Sequence, residues 1–193
     1  MVALAELVAK SLLTPDVGGE EVTYRLLETT RSYALEKLRD NGEEQCVRQR
    51  HAEFVHAVLE QAAMEWPMRA AVEWATGYGR HLDDLRAALS WAADKATDPS
   101  LHIRLTVAGL LLWNHFSLTQ ECRVHVATAV QSLDAAGLSG TSFEMQLQTW
   151  LGGATLFTEG SMGLVMGALQ RALEISFYLG GPDYRVRCLR LIG

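Results

Sequence analysis

The sequence predicts an all-α protein with one small β-hairpin near its start, and three observations carry that prediction. Apolar residues recur at three- and four-residue spacing along nearly the whole chain. Only four prolines, Pro15, Pro67, Pro99 and Pro182, interrupt it, and they stand at or near the joints between periodic segments. One stretch alone, 13–27, places β-type residues on both sides of a Gly18-Gly19 break, which is the composition of a tight hairpin turn needing positive φ.

Taken in order, Leu4, Leu7, Val8 and Leu12 form one apolar stripe on a short opening helix. The hairpin over 13–27 follows. Thr29 or Thr30 then caps a helix running to about Asn41, and Gly42 closes it with a left-handed residue. A long helix over 43–66 carries Val47, His51, Phe54, Val55, Val58, Leu59 and Ala62 on one face, and Pro67 ends it. A short helix over 68–76 precedes one over 80–95 with the cleanest stripe in the chain, Leu82, Leu85, Leu89 and Ala92. Asp98-Pro99 restarts the chain, since proline suits a first helical turn. Helices over 100–116, 119–136, 141–158, 161–179 and 182–192 complete it, with breaks short enough to set neighbours antiparallel.

Composition narrows the functional classes. With 193 residues, 49% of them hydrophobic and 21% charged, the chain is too apolar for disorder and long enough to build a core without disulfides or a metal. The longest strongly apolar run, 105–113, falls short of the ~20 residues a membrane helix requires. Cys46, Cys122 and Cys188 are an odd number with no Cys-x-x-Cys pair, the usage of reduced thiols, so a cytoplasmic location is expected. Net charge is −6. Residues 1–66 hold twelve acids and seven bases, and residues 67–193 hold eleven acids and ten bases, so neither half is a basic footprint for nucleic acid.

Candidate sites resolve mostly into structural roles. His115, Cys122 and His125 would share a face only on a continuous helix, and the turn expected near Ser117 and Leu118 breaks it, leaving no tetrahedral metal set. Asp83 and Asp84 are adjacent, so their side chains diverge by about 100° and read as first-turn acids beside a helix dipole. The glycines of 160–167 lack the lysine and preceding strand of a phosphate loop. Arg185, Arg187 and Arg190 form the one basic cluster, read as a solvated helix face. Trp66, Trp74 and Trp91 read as core. Trp113 and Trp150 stand on the first helices of successive repeat pairs, the side that lines a solenoid groove. Core packing is the default for both, and exposure in that groove would make either an anchor for a protein or small ligand.

Sliding the chain by 43 residues lays Gly109 on Gly152, Val126 on Leu169, Ala129 on Ala172 and Val130 on Leu173, a weak internal repeat in which small residues let paired helices approach. In the second copy, Gly153, Leu156, Gly160, Val165, Leu169 and Ala172 resemble the spacing of a tetratricopeptide repeat. Two further segments, 24–38 (YRLLETTRSYALEKL) and 81–92 (HLDDLRAALSWA), resemble bacterial STAND-type signalling ATPases related to the antibiotic-production and maltose regulators. In that family a DNA-binding domain precedes a nucleotide-binding ATPase, a winged helix and an arm of tetratricopeptide-like repeats. The opening helix and 13–27 are similar to the last helix and wing of that winged helix.

The resemblance implies three regions: a partial winged helix over 1–41, a helical linker bundle over 42–98, and incomplete tetratricopeptide-like repeats over 99–193. It also implies that the chain is a piece of a regulator whose ATPase lies elsewhere, since no Gly-x-x-x-x-Gly-Lys-Ser/Thr occurs. A non-catalytic arm is therefore expected, without cofactor or metal, receiving a protein or small-molecule effector through the repeats. The rival expectations are a DNA-binding regulator acting through the winged helix, which the acids around the hairpin disfavour, and a helical enzyme. Self-association through residues 1–13 is expected if the apolar stripe of the first helix lacks its cover.

Overall fold

The computed structural model describes residues 2–16, 22–94, 98–180 and 182–192, and the fold is all-α with one two-stranded antiparallel sheet. The chain divides into two compact units, Met1–Gln49 and Arg50–Gly193.

In the first unit α1 (Val2–Ala9) is closed by Ser11, which takes a left-handed φ of 56°. Its N–H donates to Val8 C=O, and Leu12 N–H donates to Leu7 C=O, each at 2.9 Å, the paired bonds of a Schellman closure. Strands β1 (Leu13–Asp16) and β2 (Thr23–Leu26) pair with Leu13 opposite Leu26 and Pro15 opposite Tyr24. The expected Gly18-Gly19 turn between them lies outside the described residues. Helix α2 (Glu28–Asp40) starts before either threonine proposed to cap it. Leu27 occupies the cap without a side-chain bond, and Glu28 in the first turn complements the helix dipole instead. Gly42 does take the left-handed conformation, at φ 70°, and Glu43 N–H closes back onto Leu38 C=O at 2.8 Å. None of the described residues of this unit is buried.

Helix α3 (Glu44–Glu65) begins in the first unit and continues into the second. Its buried stripe is Ala52, Val55, Leu59 and Ala62. Val47 and Phe54, placed on that face by periodicity, are exposed, because the two alanines bring the helix close to its neighbours on a line about 100° away from Phe54. Helix α4 (Ala71–Tyr78) starts three residues later than expected and is fixed by Trp74, whose indole N–H donates to Ala62 C=O at 2.7 Å. A single 3₁₀ turn, Gly79–His81, leads to α5 (Leu82–Ala92), on which Leu85 and Leu89 are both buried as the stripe requires.

Asp98 caps α6 (Pro99–His115) by accepting from Ser100 N–H at 2.9 Å, with proline in the first turn. Helix α7 (Thr119–Gln131) ends before the expected position 136, and Gly137 at φ 66° lets Leu138 N–H reach Leu133 C=O at 3.0 Å in the following turn. Helix α8 (Ser142–Thr158) is capped by Thr141, and Glu144 reaches back to Gly140 N–H at 2.6 Å, a reciprocal arrangement akin to a capping box. Helices α9 (Met162–Leu179) and α10 (Pro182–Ile192) occupy the expected ranges.

From α5 to α10 each helix packs on the next, and alternate helices α6, α8 and α10 also touch in series. Two mid-helix glycines set the spacing. A Cβ on Gly152 would lie 2.7 Å from Leu169 of α9, and one on Gly109 would lie 2.7 Å from Leu85 of α5. The two glycines aligned by the 43-residue shift thus both mark close approach, but Gly109 faces the helix before it and Gly152 the helix after it.

Candidate functional site

The layer formed by α6, α8 and α10 borders a cavity of about 890 Å³ that opens to solvent. Its walls follow from helical spacing. Thr149, Trp150, Gly153, Ala154 and Phe157 project from one face of α8, Tyr184, Arg190 and Leu191 from α10, and Trp113 and Asn114 from the end of α6. Ser117, Thr119 and Cys122 close the side next to α7. Ser117 is the turning point between α6 and α7, with a left-handed φ of 56°. Leu118 N–H donates to Trp113 C=O at 2.8 Å, completing the same closure as at Ser11.

Trp113 forms the cavity floor and is 0% exposed. Its indole N–H donates to Glu121 Oε1 at 3.1 Å, and its ring stacks on His125 at 5.2 Å between centroids. Glu121 is held in turn by Arg86, through bonds of 2.9 and 2.7 Å. That guanidinium, helped by the indole N–H, keeps the Glu121 carboxyl below its usual value despite partial burial. Burial acts the other way on the neighbouring Cys122 thiol, pushing it up to about 12, so it remains protonated and unreactive near neutral pH. Thr149 donates its hydroxyl to Met145 C=O at 2.8 Å and lies 3.5 Å from Cys188 Sγ, linking α8 to α10.

The described residues lining this cavity include one cation, Arg190, and no carboxylate or histidine. A second cavity of about 310 Å³ lies beside it and shares Trp150 and Tyr184. There the charges include both signs: Arg104, Glu60, and His56, which stands 3.5 Å from Glu60. Burial lowers the His56 pKa, with Arg104 adding to that effect and Glu60 opposing it.

The structure therefore brings Trp113 and Trp150 to one cavity, the first as a buried floor and the second as a half-buried wall. Sequence reasoning passed over Phe157 and Tyr184, took Gly153 only as a repeat position, and read Arg190 as part of a solvated helix face. The α8 members had a signal in their shared spacing with Trp150; nothing in the sequence brought Tyr184 or the clustered Arg190 to this cavity, because only the packing of α10 places them there. The other candidates disperse. His115 packs among Trp66, Trp74 and Phe116, Asp83 pairs with Arg86, and Asp84 sits between His51 and His81. Arg185 lies over the Phe177 ring at 5.0 Å, while the side chain of Arg187 lies outside the described residues. No group of three metal-binding side chains occurs among the described residues, and no helix of those residues is long and apolar enough to cross a membrane.

Comparison with known proteins gives two matches of different reach. Residues 1–39 match the family described as the winged helix-turn-helix domain. Proteins of Mycobacterium bovis and Mycobacterium tuberculosis named as HTH-type transcriptional regulators are 31% identical over 98% of this chain, which spans 22% of their length. No solved structure matches. The first 39 residues thus match a winged helix-turn-helix domain, and nearly the whole chain is homologous to about a fifth of these HTH-type regulators.

Proposed function

We propose that the chain is a non-catalytic regulatory arm of a bacterial transcription regulator of the STAND ATPase type. Tetratricopeptide-like helices over 99–193 receive an effector, and the winged-helix segment passes the signal to an ATPase outside this chain. The observation that carries this reading is the joining of a winged-helix segment to an array of helices that holds an 890 Å³ cavity, within one continuous stretch of homology to transcription regulators. The floor and walls of that cavity suit binding: the Cys122 thiol is protonated and the described lining carries no general base.

A second reading, direct DNA contact through residues 1–39, draws on the same family match and on the name borne by the relatives. Charge weighs against it, because duplex affinity rests mainly on neutralising phosphates and residues 1–39 carry six acids against five bases, no basic excess. Titrating the 193-residue chain with duplex DNA between about 50 and 200 mM salt separates the two. The regulatory-arm reading expects no saturable complex. A saturable, steeply salt-dependent one would transfer the function to the winged helix. The same reading expects a fluorescent ATP analogue to show no binding that plain ATP reverses.

A further inference from the structure

We infer that the cavity bordered by Trp150 and Arg190 is a binding site for a small aromatic monocarboxylate. This deepens the regulatory-arm reading and rests on it. Four features point to that chemical class. The volume, about 890 Å³, lies within the range of small-molecule sites rather than of a packing defect. Trp150, Tyr184 and the largely exposed Phe157 line it, and a planar ring stacks on such aromatic side chains at 4.5–7 Å in general. Arg190, in the last turn of α10, is the only charged group among the described lining residues, and it is positive. A guanidinium fork matches a carboxylate in two parallel hydrogen bonds.

The fourth feature is Gly153. A glycine inside a helix costs about 1 kcal/mol relative to alanine, and here no close packing demands it. A Cβ at this position would meet only Leu191, at an ordinary 3.6 Å, unlike the neighbouring Gly152, which Leu169 crowds. What Gly153 preserves is open volume between Trp150 and Phe157. The second cavity does not extend the same preference, because Arg104 and Glu60 offset each other there.

Titration of the 193-residue chain with 2-naphthoate, and with the uncharged 2-naphthamide of the same ring, tests the assignment by calorimetry and by the Trp150 indole N–H resonance. Saturable naphthoate binding that shifts that resonance is expected, with the amide weaker by roughly five- to tenfold. Arg190→Gln should erase the preference and leave the amide unchanged, Arg190→Lys should restore part of it, and Gly153→Leu should abolish both by filling the space. If Arg190→Gln fails to fold, the ligand comparison on the unaltered chain and the lysine variant still decide. No saturable binding at about 1 mM, equal affinity for the two probes, or a preference that survives Arg190→Gln would each overturn the assignment. An extended peptide that occupies both cavities while naphthoate does not bind would overturn it too, and would leave the regulatory-arm reading standing; the DNA titration decides that reading separately.

Discussion

The two units use similar apolar periodicity to opposite effect. In Met1–Gln49 the stripe on α1 stays on the surface, with Leu4 41% exposed, and Tyr24, Leu26 and Leu27 of the hairpin region are exposed as well. In Arg50–Gly193 the stripe on α5 meets other helices, and Leu85, Trp74 and Trp113 lose all contact with solvent. The first unit holds its elements together by local means: the Schellman closures at Ser11 and Gly42, the strand ladder, and the Glu44 carboxylate between Arg39 and Arg48. Such local, solvent-screened bonds contribute little net stability each. The second unit adds the burial of large side chains, at about 1.5–3 kcal/mol apiece. Periodicity therefore predicts helix, and only a partner predicts core.

The largest expected effect tests this directly. Leu85→Ala should cost roughly 3–5 kcal/mol, because the side chain is fully buried above Gly109 and its removal leaves a hole that glycine cannot fill. Leu7→Ala, on the exposed stripe of α1, should cost about 0.5 kcal/mol or less. Denaturant melts of the two variants measure the contrast, and equal losses would erase it.

Acid should separate the units next. All six histidines lie beyond residue 50, and His102, buried on α6 beside the charge of His125, has its pKa lowered from 6.5 to about 4, chiefly by burial. A base with a depressed folded pKa stabilises fully above its unfolded value, and that contribution fades as pH falls through the interval to the folded one. The second unit should thus weaken by about 3 kcal/mol between pH 6.5 and 4. Hydrogen exchange read separately over 2–49 and 50–192 checks this, and His102→Leu should flatten the response.

Glu144 supplies a smaller and lower-pH contrast. Burial favours its neutral form, but Arg171 at 2.7 Å and Gly140 N–H outweigh burial and hold the carboxyl below its usual 4.5. Its stabilisation is present above that value and lost as pH falls through the lower folded one. Glu144→Gln should cost about 1–3 kcal/mol near neutral pH, with the α8–α9 region reporting the loss first in exchange. The smallest effect concerns the two serines in left-handed turns, Ser11 and Ser117. Glycine at either should stabilise by about 0.5 kcal/mol. Thermal melts should register the change at Ser117, inside the packed unit, more clearly than at Ser11.

Much of this fold was legible where a local rule has a local cause. Asp98-Pro99 announces α6 through its own side-chain bond, Gly42 closes α2 through its own φ, and the stripe on α5 buries the leucines it names. Where distance matters, the reading weakens. The buried face of α3 is chosen by Ala52 and Ala62, whose smallness matters only once other helices approach, so the larger Phe54 was a misleading guide. The hydrogen bond closing the turn after α7 likewise prevails over a helical pattern that periodicity would have carried to 136. Of the candidate site, the tryptophans stood out by size and repeat position. Tyr184 and Arg190 are separated from Trp150 by more than thirty residues of sequence and become neighbours only through the α8–α10 contact.

Gly109 and Gly152 carry one more implication, for how this array can change. They fix α6 onto α5 and α8 onto α9 through close approach of Leu85 and Leu169, so two helices that frame the cavity are held by four positions that do not belong to its lining. The lining can then vary while the frame holds. A library over Asn114, Trp150, Gly153 and Phe157 should yield folded chains with altered ligand preference, whereas substitutions at the two glycines should yield few folded chains of any preference. In such an array, new recognition is reached by exchanging the solvent-facing wall residues one at a time, while the buried ones of the same wall, such as Thr149 and Trp113, stay with the frame.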